Sequence, residues 1–157
     1  MSNLGATLTM LLIGGYRSLV EAAQVELAAR GYEDVRPVHD LAIRAIASGA
    51  DSASELGRRL EVSKQAAAKT IGVLQKRGYV VREEDPADAR RKRLRVTAHG
   101  LDMLREAEEI FDELRNKWAR KIGITQLEEI EKQLAELIGT DPIRLDTSGW
   151  LARDLGE

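Results

Sequence analysis

Apolar positions recur at steps of three and four along most of this chain, and one stretch just past its middle departs from that period. Between Thr7 and Arg30 the residues Leu12, Tyr16, Leu19, Val20, Ala23 and Leu27 form one stripe, which predicts a long helix stopped by Gly31. Pro37 opens a second helix, PVHDLAIRAIASG, because a first-turn amide needs no intrahelical acceptor, and Gly49 ends it. DSASELGRRL carries Leu56 and Leu60 on a short apolar face, with Ser52 or Ser54 as its cap. After the link Glu61-Val62, Ser63 caps SKQAAAKTIGVLQKRG, whose inward stripe is Ala67, Thr70, Ile71 and Leu74 and whose stop is Gly78. Two short helices across so tight a link predict a helix-turn-helix.

The period then drops to two. YVVRE and RLRVT read as short strands, with Leu94 and Val96 inward and Arg93 and Arg95 on the wet face. EDPADARRK between them reads as a loop with a proline turn signal, so the three pieces predict a hairpin. Thr97 caps the next helix, where Leu104, Ala107, Phe111, Leu114 and Trp118 keep a seam-like spacing. A last helix starts near Thr125, which with Glu128 fits a capping box, and runs through Leu127, Ile130, Leu134 and Leu137 to stops at Gly139 and Pro142. Trp150, Leu151 and Leu155 in the tail read either as docking groups or as part of a loose terminus. The expected fold is mostly α (α+β): a winged helix-turn-helix core with a two-stranded β-hairpin wing, flanked by N- and C-terminal helices.

Composition narrows the chemistry. A chain of 157 residues with 4% aromatics suits one domain rich in helix. It has no cysteine, which excludes a disulfide framework, a thiolate zinc site and a thiol sensor and fits a reducing compartment. His39 and His99 are the only histidines, so no metal and no cofactor is expected. The apolar run from Met10 to Tyr16 is too short to span a bilayer, and no Lys or Arg precedes Arg17 to flank it as in a signal peptide. The expectation is a cytoplasmic protein with no membrane partner. No phosphate-binding glycine loop, nucleophile elbow or zinc-protease motif is present, and Glu108-Glu109 and Glu128-Glu129 read as solvated faces, so no enzyme is expected.

The net charge is only -2, yet Arg90, Arg91, Lys92, Arg93 and Arg95 stand almost side by side behind Glu83, Glu84 and Asp85. Alone, such a run is a solvated face. Behind a helix-turn-helix it is the wing of a winged helix, whose second short helix fits the major groove of duplex DNA. The outer face of that helix, with Ser63 at its cap, presents Lys64, Gln65, Ala68, Lys69, Gly72 and Lys76. Gln65 suits adenine, the lysines suit guanine or phosphate, and the Ala68 methyl suits thymine. Arg90 is the candidate for the neighbouring minor groove, with Asp88 either orienting its guanidinium or holding the loop. Arg91, Lys92, Arg93 and Arg95 read as phosphate contacts or as solvated charges.

SASELGRRLEVSKQAAAKTIGVLQKRGYVVREEDPADARRKRLRVTAHG resembles the MarR family of winged-helix regulators. Asp88 and Arg90 are similar to that family's D-x-R wing, Thr97 and Gly100 to its T-x-x-G helix start, and LQKRGYV to its exit from the recognition helix. Ala89 stands where many members carry a second arginine, and Val96 replaces a common leucine. The resemblance implies a homodimer built by residues 1–34 and 99–139 around a DNA-binding lobe at 35–98; it leaves 140–157 unassigned. It also implies a near-palindromic double-stranded operator with half-sites about 34–36 Å apart, repression by default, and release by a small molecule, often an aromatic or phenolic anion. Tyr16, Arg17, Pro37, His39 and Trp118 are the candidates to line its pocket, although Tyr16 and Trp118, on helical stripes, better suit a core and His39, in a first helical turn, a solvated or capping place. A winged-helix module that grips an acidic protein is the alternative.

Overall fold

The computed structural model describes residues 3–139. Six helices and one hairpin follow in the order α1 (Leu4–Ala29), α2 (Pro37–Ala47), α3 (Ala53–Leu60), α4 (Lys64–Lys76), β1 (Val80–Asp85), β2 (Asp88–Val96), α5 (Ala98–Ile122) and α6 (Ile124–Ile138). The expected winged helix-turn-helix is therefore present, with α3 and α4 as its helix pair and β1–β2 as its wing. Pro142, Trp150, Leu151 and Leu155 lie outside the described residues.

Three of the caps form as the sequence predicts. Ser52, not Ser54, accepts the Glu55 amide at 3.2 Å; Ser63 accepts that of Ala66 at 3.0 Å; Thr97 accepts that of Gly100 at 3.1 Å. Each meets an amide with no intrahelical acceptor, and each stabilises its helix by about 1 kcal/mol. The box at Thr125 does not form: α6 starts one residue earlier, with Gly123 as N-cap and no side-chain bond. The turn of the α5–α6 corner sets that start, because Gly123 alone there takes a positive φ of 93°.

One core runs through the lobe and up the long helices, with Ile43, Leu56, Leu60, Ile71, Leu74, Met103 and Ile110 fully enclosed. The helix pair is tight because Gly57 on α3 has no side chain: a Cβ there would come within 3.0 Å of the Val62 carbonyl. Glu61 closes α3 in the left-handed region at φ 55°, which lets the Val62 amide reach back to the Gly57 carbonyl at 2.9 Å. On α5 the structure corrects the seam. Ile110 is enclosed and Phe111 is 40% exposed. Both belong to one wide apolar arc, and packing against α1 and α2 turns its Met103–Ala107–Ile110–Leu114 edge inward.

The hairpin is also longer than expected. Residues 84–92, read as loop, are mostly strand, and only Pro86 and Ala87 turn. The register pairs Val80 with Val96, Glu83 with Arg93 and Glu84 with Lys92, then jumps to Asp85 with Asp88. Ala89, Arg90 and Arg91 fall in that jump as a bulge, a feature that re-aims side chains. The ion pairs of Glu83 with Arg93 and Arg95 across the strands favour pairing over a free loop.

Candidate nucleic-acid interface and the cavity beside it

Helix α4 presents its polar face outward. Ser63, Lys64, Gln65, Ala68, Lys69, Gly72 and Lys76 are all exposed, while Ala67, Ile71 and Leu74 bury the opposite face. None of the three lysines has an ion-pair partner among the described residues. Open space surrounds the Cα of Gly72, so nothing in the protein itself requires a glycine there.

The wing sorts its cations into two groups. Arg95 donates to Glu83 at 2.7 Å, and Arg93 lies 3.6 Å from the same carboxylate, whose pKa is lowered chiefly by the Arg95 hydrogen bond. Arg91 reaches Asp51 at 3.3 Å, across forty residues of sequence. Arg90 and Lys92 are exposed and have no acidic partner among the described residues. Asp88 holds the loop rather than the guanidinium: its carboxylate accepts the backbone amide of Arg90 at 3.0 Å, and Asp85 does the same for Ala87 at 2.9 Å. Two Asx turns thus fix the bulge that carries Arg90.

Asp51 was invisible as a functional residue in the sequence. Besides holding Arg91, its carbonyl accepts the Leu94 amide at 3.0 Å, so the α2–α3 link fastens β2 from its outer edge. No local signal announces such a contact, because both partners are ordinary turn and strand residues.

The base of the wing explains the T-x-x-G pattern. Thr97 donates its hydroxyl to the Gly78 carbonyl at 2.5 Å while accepting the Gly100 amide. Gly100 packs so closely that a Cβ would collide with the Tyr79 carbonyl oxygen and with Val96. Behind this joint, Tyr32, His99 and Tyr79 stack, with His99 centred 5.5 Å and 5.0 Å from the two rings. At the exit of α4, Arg77 donates to the Asp34 carbonyl at 2.8 Å and to its carboxylate at 3.3 Å. His39 sits beside this clasp, buried, with Nδ1 accepting the Arg36 amide at 3.1 Å. Burial first, and then the charge of Arg77, pushes its pKa down to about 4. His39 is thus a capping side chain at the start of α2.

A cavity of about 470 Å³ opens between α1, α2 and α5. Leu19, Ala23, Leu27 and Leu41 form its walls, and Tyr16 and Pro37 also line it. Arg17, His39 and Trp118 are not among its lining residues; Trp118 lies against the backbone of Gly15 instead. The Tyr16 hydroxyl holds its proton more tightly than usual, through burial and then through Asp40. Around the cavity, Arg30 binds Glu106 and Arg44 binds Asp40 at 2.7 Å and Glu108 at 2.9 Å, which ties α1 and α2 to α5.

An exposed helix of a helix-turn-helix, followed by a basic hairpin and packed on long helices, defines a winged-helix protein. Comparison with known proteins narrows this class. Residues 34–91 match the sequence model of the MarR family. The proteins of that family are transcriptional regulators, not enzymes. The chain is 30% identical over 83 residues to the HTH-type transcriptional regulator BilQ of Clostridioides difficile (strain CD3), a match that spans 53% of this chain and 56% of that one. The fold is shared with a MarR family protein from Bacillus stearothermophilus, at a TM-score of 0.68 and 17% identity over 88% of this chain and 96% of that one. It is shared too with Streptococcus pneumoniae FabT in complex with DNA, at a TM-score of 0.66 and 18% identity over 85% and 94%.

Proposed function

We propose that this protein is a homodimeric, cytoplasmic transcriptional regulator that binds a near-palindromic duplex operator, represses from it, and is released by a small molecule in the α1–α2–α5 cavity. The observation that carries the DNA-binding reading is the sorting of cations. Arg77, Arg91, Arg93 and Arg95 are engaged by acidic groups of the same chain, whereas Lys64, Lys69, Lys76, Arg90 and Lys92 are exposed with none among the described residues. Free cations on an exposed helix and on the hairpin beside it suit phosphate contacts around a major groove and the minor groove next to it. Within this reading Gln65 and Ala68 face bases, Ser63, Lys64, Lys69 and Lys92 face the backbone, and Arg90 enters the minor groove. Asp88 positions Arg90, while Arg91 and Arg93 act mainly inside the wing.

Dimerisation is supported by what the long helices leave uncovered. Leu8, Leu11 and Leu137 are 59%, 69% and 83% exposed, and Leu4, Met10 and Ile138 are similarly bare, all on α1 and α6. A patch of that kind is an interface by default. In this division 1–34 and 99–139 pair with a second copy and 35–98 reads DNA. No helix among the described residues is long and apolar enough to cross a membrane.

The test is fluorescence anisotropy with the duplex upstream of the protein's own coding region against scrambled duplex, at two salt concentrations. Selective binding that weakens steeply with salt and is impaired by Arg90→Ala supports the proposal. Equal, weak binding to both duplexes points to the alternative, a module that grips an acidic protein.

A further inference from the structure

The ligand that fits the cavity is set by the charge of its rim. Among the lining residues, Asp40, Glu108 and Asp112 are acidic and Arg36 and Arg44 are basic. Both arginines already meet acids, Arg44 through several of its nitrogens and Arg36 through Nε alone. Arg44 lies between Asp40 at 2.7 Å and Glu108 at 2.9 Å, two carboxylates against one guanidinium, and Arg36 leans on Asp34 at 3.3 Å. Asp112 has no ion-pair partner among the described residues, and Arg115, one turn further along α5, is held by Glu131 through two hydrogen bonds. Tyr16 adds a phenol that keeps its proton, and Phe111 adds an aromatic ring that is 40% exposed.

From this geometry we infer that the cavity takes a lipophilic organic cation, an apolar or aromatic body bearing an ammonium-type charge, and excludes the aromatic anions that the sequence resemblance suggested. The apolar body lies against Leu19, Ala23, Leu27 and Leu41, while the cation rests between Asp112 and the faces of Tyr16 and Phe111. Attraction at both ends has a physical source: apolar surface leaves water, and a cation gains from a carboxylate and from aromatic faces. An anion placed beside Arg44 would meet the two carboxylates that hold it, and Asp112 adds a third that has no ion-pair partner among the described residues. The inference rests on the proposed release of DNA by a ligand in this same cavity.

A matched pair of probes separates charge from shape: tetraphenylphosphonium and tetraphenylborate have the same four-phenyl body and opposite charge. Calorimetric titration of the full chain should show saturable binding of the phosphonium, at least about tenfold tighter than the borate. Asp112→Asn should weaken the phosphonium by about threefold to tenfold and leave the borate unchanged, as expected for one partly solvated charge contact. Val20→Trp, which fills the cavity from α1, should abolish phosphonium binding while circular dichroism confirms the fold. Tighter borate than phosphonium binding, an Asp112→Asn variant that binds the phosphonium as well as wild type, or no binding of either probe overturns the inference. The operator duplex gives a separate readout. Phosphonium binding that leaves DNA affinity unchanged would keep the cation site and overturn ligand-driven release; DNA release by the borate alone would keep release and overturn the cation class.

Discussion

Acidification should loosen the joint between α1, α2 and the exit of α4 through one residue, His39. The residue is 6% exposed, and the groups that face it are Arg77, Arg36 and Asp34. Folded His39 titrates at about 4 against an ordinary imidazole value of 6.5, so between those values the unfolded chain binds more protons. Stability is complete above pH 6.5 and declines as pH falls toward 4. A tenfold difference in proton affinity between folded and unfolded chain corresponds to about 1.36 kcal/mol, so this residue costs about 2 kcal/mol at pH 5 and approaches about 3 kcal/mol at lower pH. Protonation also removes the acceptor for the Arg36 amide and places a cation beside Arg77, which clasps α4 to Asp34. Urea unfolding at pH 7.5 and pH 5, at fixed protein concentration, measures this for wild type and His39→Gln. The glutamine oxygen can accept the same amide and does not titrate, so the variant's acid loss should be smaller by about 2 kcal/mol. Equal acid losses in the two proteins would refute the reasoning.

Gly100→Ala places a methyl group on the Tyr79 carbonyl, which cannot swing aside as a side-chain end would; thermal unfolding should report a loss of about 2–3 kcal/mol, the upper range for overpacking. Ser63→Ala leaves the Ala66 amide without its acceptor, so urea unfolding should show about 1 kcal/mol lost. On the operator, Lys92→Ala should reduce the slope of log affinity against log salt by about one, and Arg93→Ala by clearly less, because Glu83 already engages Arg93. Gln65→Ala should change base preference at a single position, whereas Arg90→Ala should weaken binding mainly on A·T-rich flanks, both read by competition with variant duplexes. Equal losses from these two on every sequence would refute their separate roles.

Local signals in the sequence determined the order of elements. Ser52, Ser63 and Thr97 start helices because a hydroxyl three residues before a free amide is a local hydrogen bond, independent of the rest of the chain. Gly31, Gly49 and Gly78 end them because φ values of 95°, 114° and 78° are cheap only without a Cβ. Periodicity then separated the helices from the hairpin, and the D-x-R and T-x-x-G spacings marked the tip of the wing and the helix that follows it. Partnership between distant residues was beyond such signals. The sequence shows five cations almost in a row; only the tertiary structure joins Arg91 to Asp51 and both Arg93 and Arg95 to Glu83, which leaves Arg90 and Lys92 free among the described residues. It likewise decided that Ile110 rather than Phe111 is enclosed, since an apolar arc wider than its contact fits several rotations of a helix. The burial of His39, and the acidic rim of a cavity assembled from three helices, depend on which faces meet. Local chemistry fixes where a chain turns, but charge compensation and enclosure are properties of surfaces brought together from far apart in sequence.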